Sequence, residues 1–103
     1  MNIAIIGQEE AILGFRAIGV ESHAVSTPQE AVKMLQKLKK TESYAIIFIT
    51  EDFAGLILSE ISTMNQDAFP AITIIPTPRG SQGIGFQKIR KVVERAVGID
   101  LLG

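Results

Sequence analysis

The chain has 103 residues, 47% of them hydrophobic and 20% charged, which describes one globular domain and excludes wholesale disorder. Ten Lys and Arg against eleven Asp and Glu leave a formal net charge of −1, a balance that argues against a general nucleic-acid binder. With no cysteine and His23 as the single histidine, disulfides, thiolate metal sites, cysteine nucleophiles and histidine-rich metal centres are excluded as well.

Short apolar runs alternate with helical patterns. Asn2 to Ile6 reads as a buried strand ended by Gly7, and Glu9 to Ile18 as a short helix with Ile12, Phe15 and Ile18 on one face and Gly19 as its stop. Glu21 to Val25 is a second strand, polar enough for a sheet edge; His23 lies on it with no partner that spacing identifies. Thr27-Pro28-Gln29-Glu30 then combines an N-cap hydroxyl, a proline at the first helical position and a glutamate three residues after the cap. In the helix that follows, Ala31, Leu35 and Leu38 form the buried stripe, while Lys33, Lys37, Lys39 and Lys40 make a solvated face.

Tyr44 to Ile49 is apolar throughout, as a parallel strand covered on both faces should be. It contains the longest apolar run in the chain, far short of the roughly 20 residues that span a bilayer. Thr50 is placed to cap a third helix, with Glu51 and Asp52 in its first turn, running to about Asn65. Pro70 to Ile75 is a fourth strand stopped by Pro76, and a loop over residues 76–85 leads to a last helix from Phe86 to about Val97.

This βαβαβαβα order predicts an α/β fold: a four-stranded parallel sheet, strand order 2-1-3-4, flavodoxin- or receiver-like but lacking a fifth strand. The chain divides into an α/β body (1–75), a connecting loop (76–85) and a C-terminal helix and tail (86–103). Met-Asn-Ile-Ala-Ile-Ile-Gly shows neither a basic n-region nor a cleavage site, so the expectation is a cytosolic protein or one peripheral on a cytosolic surface.

Catalytic chemistry finds little support. Glu9, Glu10 and Asp52 could converge at the C-terminal strand ends as a receiver-type carboxylate cluster for Mg²⁺, but the acceptor aspartate that chemistry needs is replaced by Thr50. Gly80-Ser81-Gln82-Gly83-Ile84-Gly85 precedes a helix, as a phosphate cradle would. It lacks the Gly-Lys-Ser/Thr ending of a P-loop, and a connector is the simpler reading. No cofactor is expected.

Protein contact is better supported. Residues 1–78 carry five basic and nine acidic side chains, net −4, and residues 79–103 carry five basic and two acidic, net +3. The last helix sets Phe86, Ile89, Val93, Ala96 and Val97 at helical spacing among Lys88, Arg90, Lys91 and Arg95. That stripe can cover the sheet, and its basic rim can orient an acidic partner. In the third helix Ala54, Ile57, Leu58 and Ile61 suffice for the core, and Phe53, Leu56 and Met64 widen the arc. Ile72 to Ile75 lie at an open sheet edge, so together these predict a partner surface.

Ile6-Gly7-Gln8-Glu9, Leu13-Gly14-Phe15-Arg16-Ala17-Ile18-Gly19-Val20, Ile49-Thr50-Glu51, Pro70-Ala71-Ile72, Ile75-Pro76-Thr77-Pro78, Gly80, Gly83 and Val97-Gly98-Ile99-Asp100-Leu101-Leu102 form an ordered set. In order and spacing this set resembles the F subunit of the rotary V/A-type ATPases over essentially the whole chain. The resemblance implies a receiver-like domain with a mobile C-terminal helix, and a non-catalytic place in the central stalk on the cytoplasmic side of the membrane. There it would bind the coiled coil of the D subunit one to one and turn inside the A/B catalytic ring. The connector to the membrane sector is a further partner, with no nucleic acid and no membrane insertion. By position, Pro76, Pro78, Gly80, Gly83 and Gly85 would form a hinge, and Arg79, Phe86, Ile89, Arg90, Val93 and Val97 would meet the D coiled coil. The end at Gly103 argues against a long extension into the ring. The competing reading is a small receiver-like signalling or ligand-binding domain.

Overall fold

In the computed structural model, which describes residues 2–77, 90–95 and 97, β1 (Asn2–Gly7) pairs with β2 (Glu21–Ala24) on one side and β3 (Tyr44–Thr50) on the other. β3 then pairs with β4 (Ala71–Ile75); every pairing is parallel, and the order is β2-β1-β3-β4 as the sequence predicts. Strand alternation divides the sheet residues between two cores. Ala4, Ile6, Ile47, Ile49 and Ile72 point to one face, packed under α2 (Pro28–Lys40), α3 (Glu51–Ala54) and α4 (Leu58–Met64). Ile5 and Ile75 point to the other, packed with Ile12 and Phe15 of α1 (Glu9–Ala17) and Val93 of the helical segment at residues 90–95.

The helix ends follow local chemistry. Gly19 has φ 90°, a conformation costly for any side chain, and it lets Val20 N–H reach Phe15 O at 3.1 Å and Gly19 N–H reach Arg16 O at 3.1 Å. These two bonds are the Schellman closure of α1. At the start of α2 the Glu30 N–H donates to Thr27 Oγ1 at 3.1 Å, and the Glu30 carboxylate accepts from the Ser26 N–H at 2.8 Å. The capping box thus forms, with its return bond one residue earlier than the usual pattern.

The single third helix expected from Thr50 to Asn65 is instead two. Tight bonds from Leu56 N–H to Phe53 O and from Ile57 N–H to Ala54 O close α3, and Ile57, at φ −133°, leaves the helical region before α4 begins. The core side chains differ from the expected set of Ala54, Ile57, Leu58 and Ile61. Phe53, Ala54, Ile57, Ile61 and Met64 are all buried, whereas Leu58 is 55% exposed. At about 100° per residue the five buried positions would also share one face of a continuous helix, so the apolar spacing alone gives no sign of the break.

The outer edge of β4 is less open than the sequence suggests. Asn65 accepts from the Ile72 N–H at 2.8 Å through Oδ1 and donates to the Ile72 carbonyl at 3.0 Å through Nδ2, so its amide imitates a neighbouring strand. The next outward-facing residue is Ile74, and after it Pro76 has no N–H. Strand addition is therefore limited to one residue. Asn65→Ala should lower stability by about 1–2 kcal/mol and promote aggregation on heating. Denaturant melts and light scattering check this, and an unchanged variant would show that the clamp is unimportant.

Candidate functional site

The C-terminal ends of the strands, where α/β domains usually bind ligands, hold Gly7, Ala24, Thr50 and Ile75. Thr50 does not cap α3 as expected: its side chain makes no cap bond, is fully buried, and leaves Oγ1 without a hydrogen-bond partner. Gly7 explains the tight fit on the neighbouring strand, since a Cβ there would lie 2.8 Å from Thr50 Cγ2 and 3.0 Å from Ile12 Cγ2.

The carboxylates near this end do not converge either. Glu9 pairs with Arg16 at 2.6 Å, and hydrogen bonding from that guanidinium holds the Glu9 carboxyl below the usual carboxylate range. Asp52 accepts from the Phe53 N–H at 3.0 Å, and Glu51 accepts from the Thr77 N–H at 3.3 Å. Among the described residues no group of three His, Asp or Glu side chains is spaced to hold a metal ion. Here Thr50 is a packing residue and the acids serve local backbone and ion-pair roles.

At the opposite end of the sheet, the Tyr44 hydroxyl donates to Glu21, whose Oε2 also lies 2.9 Å from His23 Nε2. Sequence spacing could not supply this link, because Tyr44 on β3 reaches past β1 to edge strand β2. The hydrogen bond to Glu21, with burial, pushes the Tyr44 pKa up to about 12. Burial alone would raise Glu21, but the Tyr44 and His23 contacts outweigh it and hold that carboxyl below its usual range. The Tyr44 stabilisation is thus fully present below its ordinary pKa of about 10 and is lost as pH rises through about 12. The stability difference between wild type and Tyr44→Phe should be constant from neutral pH, where Glu21 is ionised, to about pH 10, and shrink toward pH 12. Urea titrations across that range test it, and a difference independent of pH would refute the assignment.

The C-terminal helical segment gives a clearer surface. Val93 is 3% exposed and packs with Ile5, Ile12, Phe15, Val20 and Ile75, and Val97 is partly buried on the same cluster. Arg90 lies across α1 at Gly14, where a Cβ would come within 2.8 Å of its Nη1 and 3.1 Å of its Cδ. The docked segment turns Val92, 66% exposed, and the charged Lys91, Glu94 and Arg95 outward. Pro76 is half-buried where β4 ends. The other sequence candidates, Pro78, Arg79, Gly80, Gly83, Gly85, Phe86 and Ile89, lie outside the described residues, as does most of the 76–85 loop. No helix among the described residues is long and apolar enough to cross a membrane.

Comparison with known proteins covers the chain almost end to end. The family model for the ATP synthase (F/14-kDa) subunit matches residues 3–93. The V-type ATP synthase F subunit of Clostridium botulinum (strain Eklund 17B / Type B) is 37% identical over 101 residues, covering 98% of this chain and 97% of the relative. That of Fusobacterium nucleatum is 38% identical over 101 residues, covering 98% and 95%. The A-type ATP synthase F subunit of Thermococcus kodakarensis is 35% identical over 106 residues, covering 98% of each chain. With the parallel 2-1-3-4 sheet beneath that similarity, the chain belongs to the family of the ATP synthase (F/14-kDa) subunit.

Proposed function

We propose that this chain is the central-stalk F subunit of a V/A-type rotary ATPase. It binds the coiled coil of the D subunit one to one and turns with it inside the A/B ring, on the cytoplasmic side of the membrane. It has no active site of its own; it helps pass torque between ATP hydrolysis or synthesis and H⁺ or Na⁺ movement. The observation that carries this reading is similarity to V-type and A-type F subunits along nearly the full length of both chains. The pairing of Glu9 with Arg16 and the burial of Thr50 agree with it, since both occupy the end of the sheet where receiver chemistry would act.

The C-terminal helix, with Arg90, Val93 and Val97, is the element proposed to engage the D coiled coil, and the loop from Pro76 is the hinge. Because Val93 sits in the domain's own core, contact through it requires the helix to leave α1; Val92, Lys91 and Arg95 are available without that displacement. Co-expression with the D subunit, followed by size exclusion with mass determination, should give a 1:1 complex. A chain that stays monomeric beside the folded coiled coil would overturn the proposal.

A further inference from the structure

Every step across this sheet follows one hand. The move from β1 to β2 runs through α1 on one face, and the moves from β2 to β3 and from β3 to β4 run through α2, α3 and α4 on the other. The helical segment that follows β4 lies on the α1 face, where Val93 packs with Ile5, Phe15 and Ile75. A further parallel strand reached from that face belongs beyond β2. It does not belong beyond β4, whose outer edge Asn65 and Pro76 already blunt.

The β2 edge is open. The Val25 N–H bonds Gly7 O, so Glu21 and His23, in step with Val25, turn their backbone groups toward β1, while those of Ser22 and Ala24 point outward. Among the described residues no strand pairs with them, and β2 carries neither a proline nor a shift of register. Beside this edge Ala24, Val25, Glu30, Lys33, Met34 and Lys37 line a groove of about 280 Å³. Val97 brings the chain to the same place. Its Cγ1 lies 3.8 Å from the point that a Gly19 Cβ would occupy, two residues before β2 starts.

We propose that residues 98–103, Gly-Ile-Asp-Leu-Leu-Gly, add to the outer edge of β2 as a fifth, parallel strand. At about 3.3 Å per residue these six residues reach about 20 Å, enough to round the turn at Gly19 and run beside the four residues of β2. Gly98 suits the end of the helix, and the residues after it alternate between the two faces. Asp100 and Leu102 fall on the side of the groove, where Lys33 and Lys37 supply countercharge and Met34 an apolar neighbour. Ile99 and Leu101 fall on the α1 side, where the β2 side chains, Ser22 and Ala24, are small. The inference does not depend on the central-stalk assignment.

Hydrogen exchange read residue by residue tests it, comparing the full-length chain with a chain truncated after Val97 and with Leu101→Pro, which removes an N–H from the added strand. In wild type the Ser22 and Ala24 amides should exchange about tenfold more slowly than in either variant. The His23 and Val25 amides face β1, so their protection should persist in all three chains and report that each folds. NMR of the wild-type chain should also show backbone proton contacts between residues 99–102 and Ser22 and Ala24. Equal exchange of Ser22 and Ala24 in the three chains would overturn the inference. So would protection that grows with protein concentration, since a second copy would then hold the edge. Absence of the wild-type contacts would overturn it even where a variant fails to fold.

Discussion

Val93→Asp should lower the unfolding free energy of the isolated chain by about 3 kcal/mol. Val93 is enclosed by Ile5, Ile12, Phe15, Val20 and Ile75, and no cation of the described residues is placed in that cluster to meet a carboxylate. Retaining the helix would bury an unpaired charge; releasing it would uncover the apolar face of the sheet between α1 and β4. Release is the cheaper outcome, so hydrogen exchange should rise along β1 and α1 as well as at the substituted helix. Val93→Ala, which only shortens the side chain, should cost about 1–2 kcal/mol and leave the exchange pattern in place. Urea titration and exchange measurements decide the matter. Wild-type values for Val93→Asp would mean that the helix does not cover the sheet in solution.

Gly7→Ala should be the costliest single-methyl insertion in the body, destabilising it by about 2 kcal/mol. The new Cβ would meet Thr50 Cγ2 at 2.8 Å and Oγ1 at 3.0 Å, with Ile12 Cγ2 at 3.0 Å. Thr50 is fixed in the central strand and Ile12 in the core face of α1, so neither can swing aside as a surface side chain would. Removing the Thr50 side chain should therefore rescue the insertion. Thr50→Ala also discards a buried hydroxyl with no partner, so its own cost is small. A double-mutant cycle should give coupling of about 1 kcal/mol or more between the two positions. Additive effects would show that Gly7 is not held by contact with Thr50.

The sheet order and the α2 cap were legible in the sequence because each rests on local signals. Thr27, Pro28 and Glu30 act on backbone within four residues, and apolar strands between amphipathic helices admit few parallel arrangements. The α3–α4 break was harder to see. Phe53, Ala54, Ile57, Ile61 and Met64, all buried, would share one face of a continuous helix too, so the apolar pattern gives no sign of the turn between α3 and α4. Thr50 misled for a related reason: its position suits a cap, but the side chain turns inward to fill the space above Gly7. The Asn65 clamp and the Tyr44–Glu21–His23 cluster link residues 7 and 23 apart or join two strands through a third. Spacing along a chain carries no trace of them. The apolar surplus on the third helix and fourth strand was legible in the sequence, and in the structure it divides between buried Phe53 and Met64 and exposed Leu56, Leu58 and Ile74.

The most direct test of the rotor assignment is ATP turnover by a reconstituted A/B ring carrying the D coiled coil, measured with and without this chain. The chain alone should hydrolyse no ATP, enter the assembly at one copy per D coiled coil, and change the turnover of the ring. A chain that fails to enter the assembly and leaves turnover unchanged, or one that hydrolyses ATP by itself, would contradict the assignment.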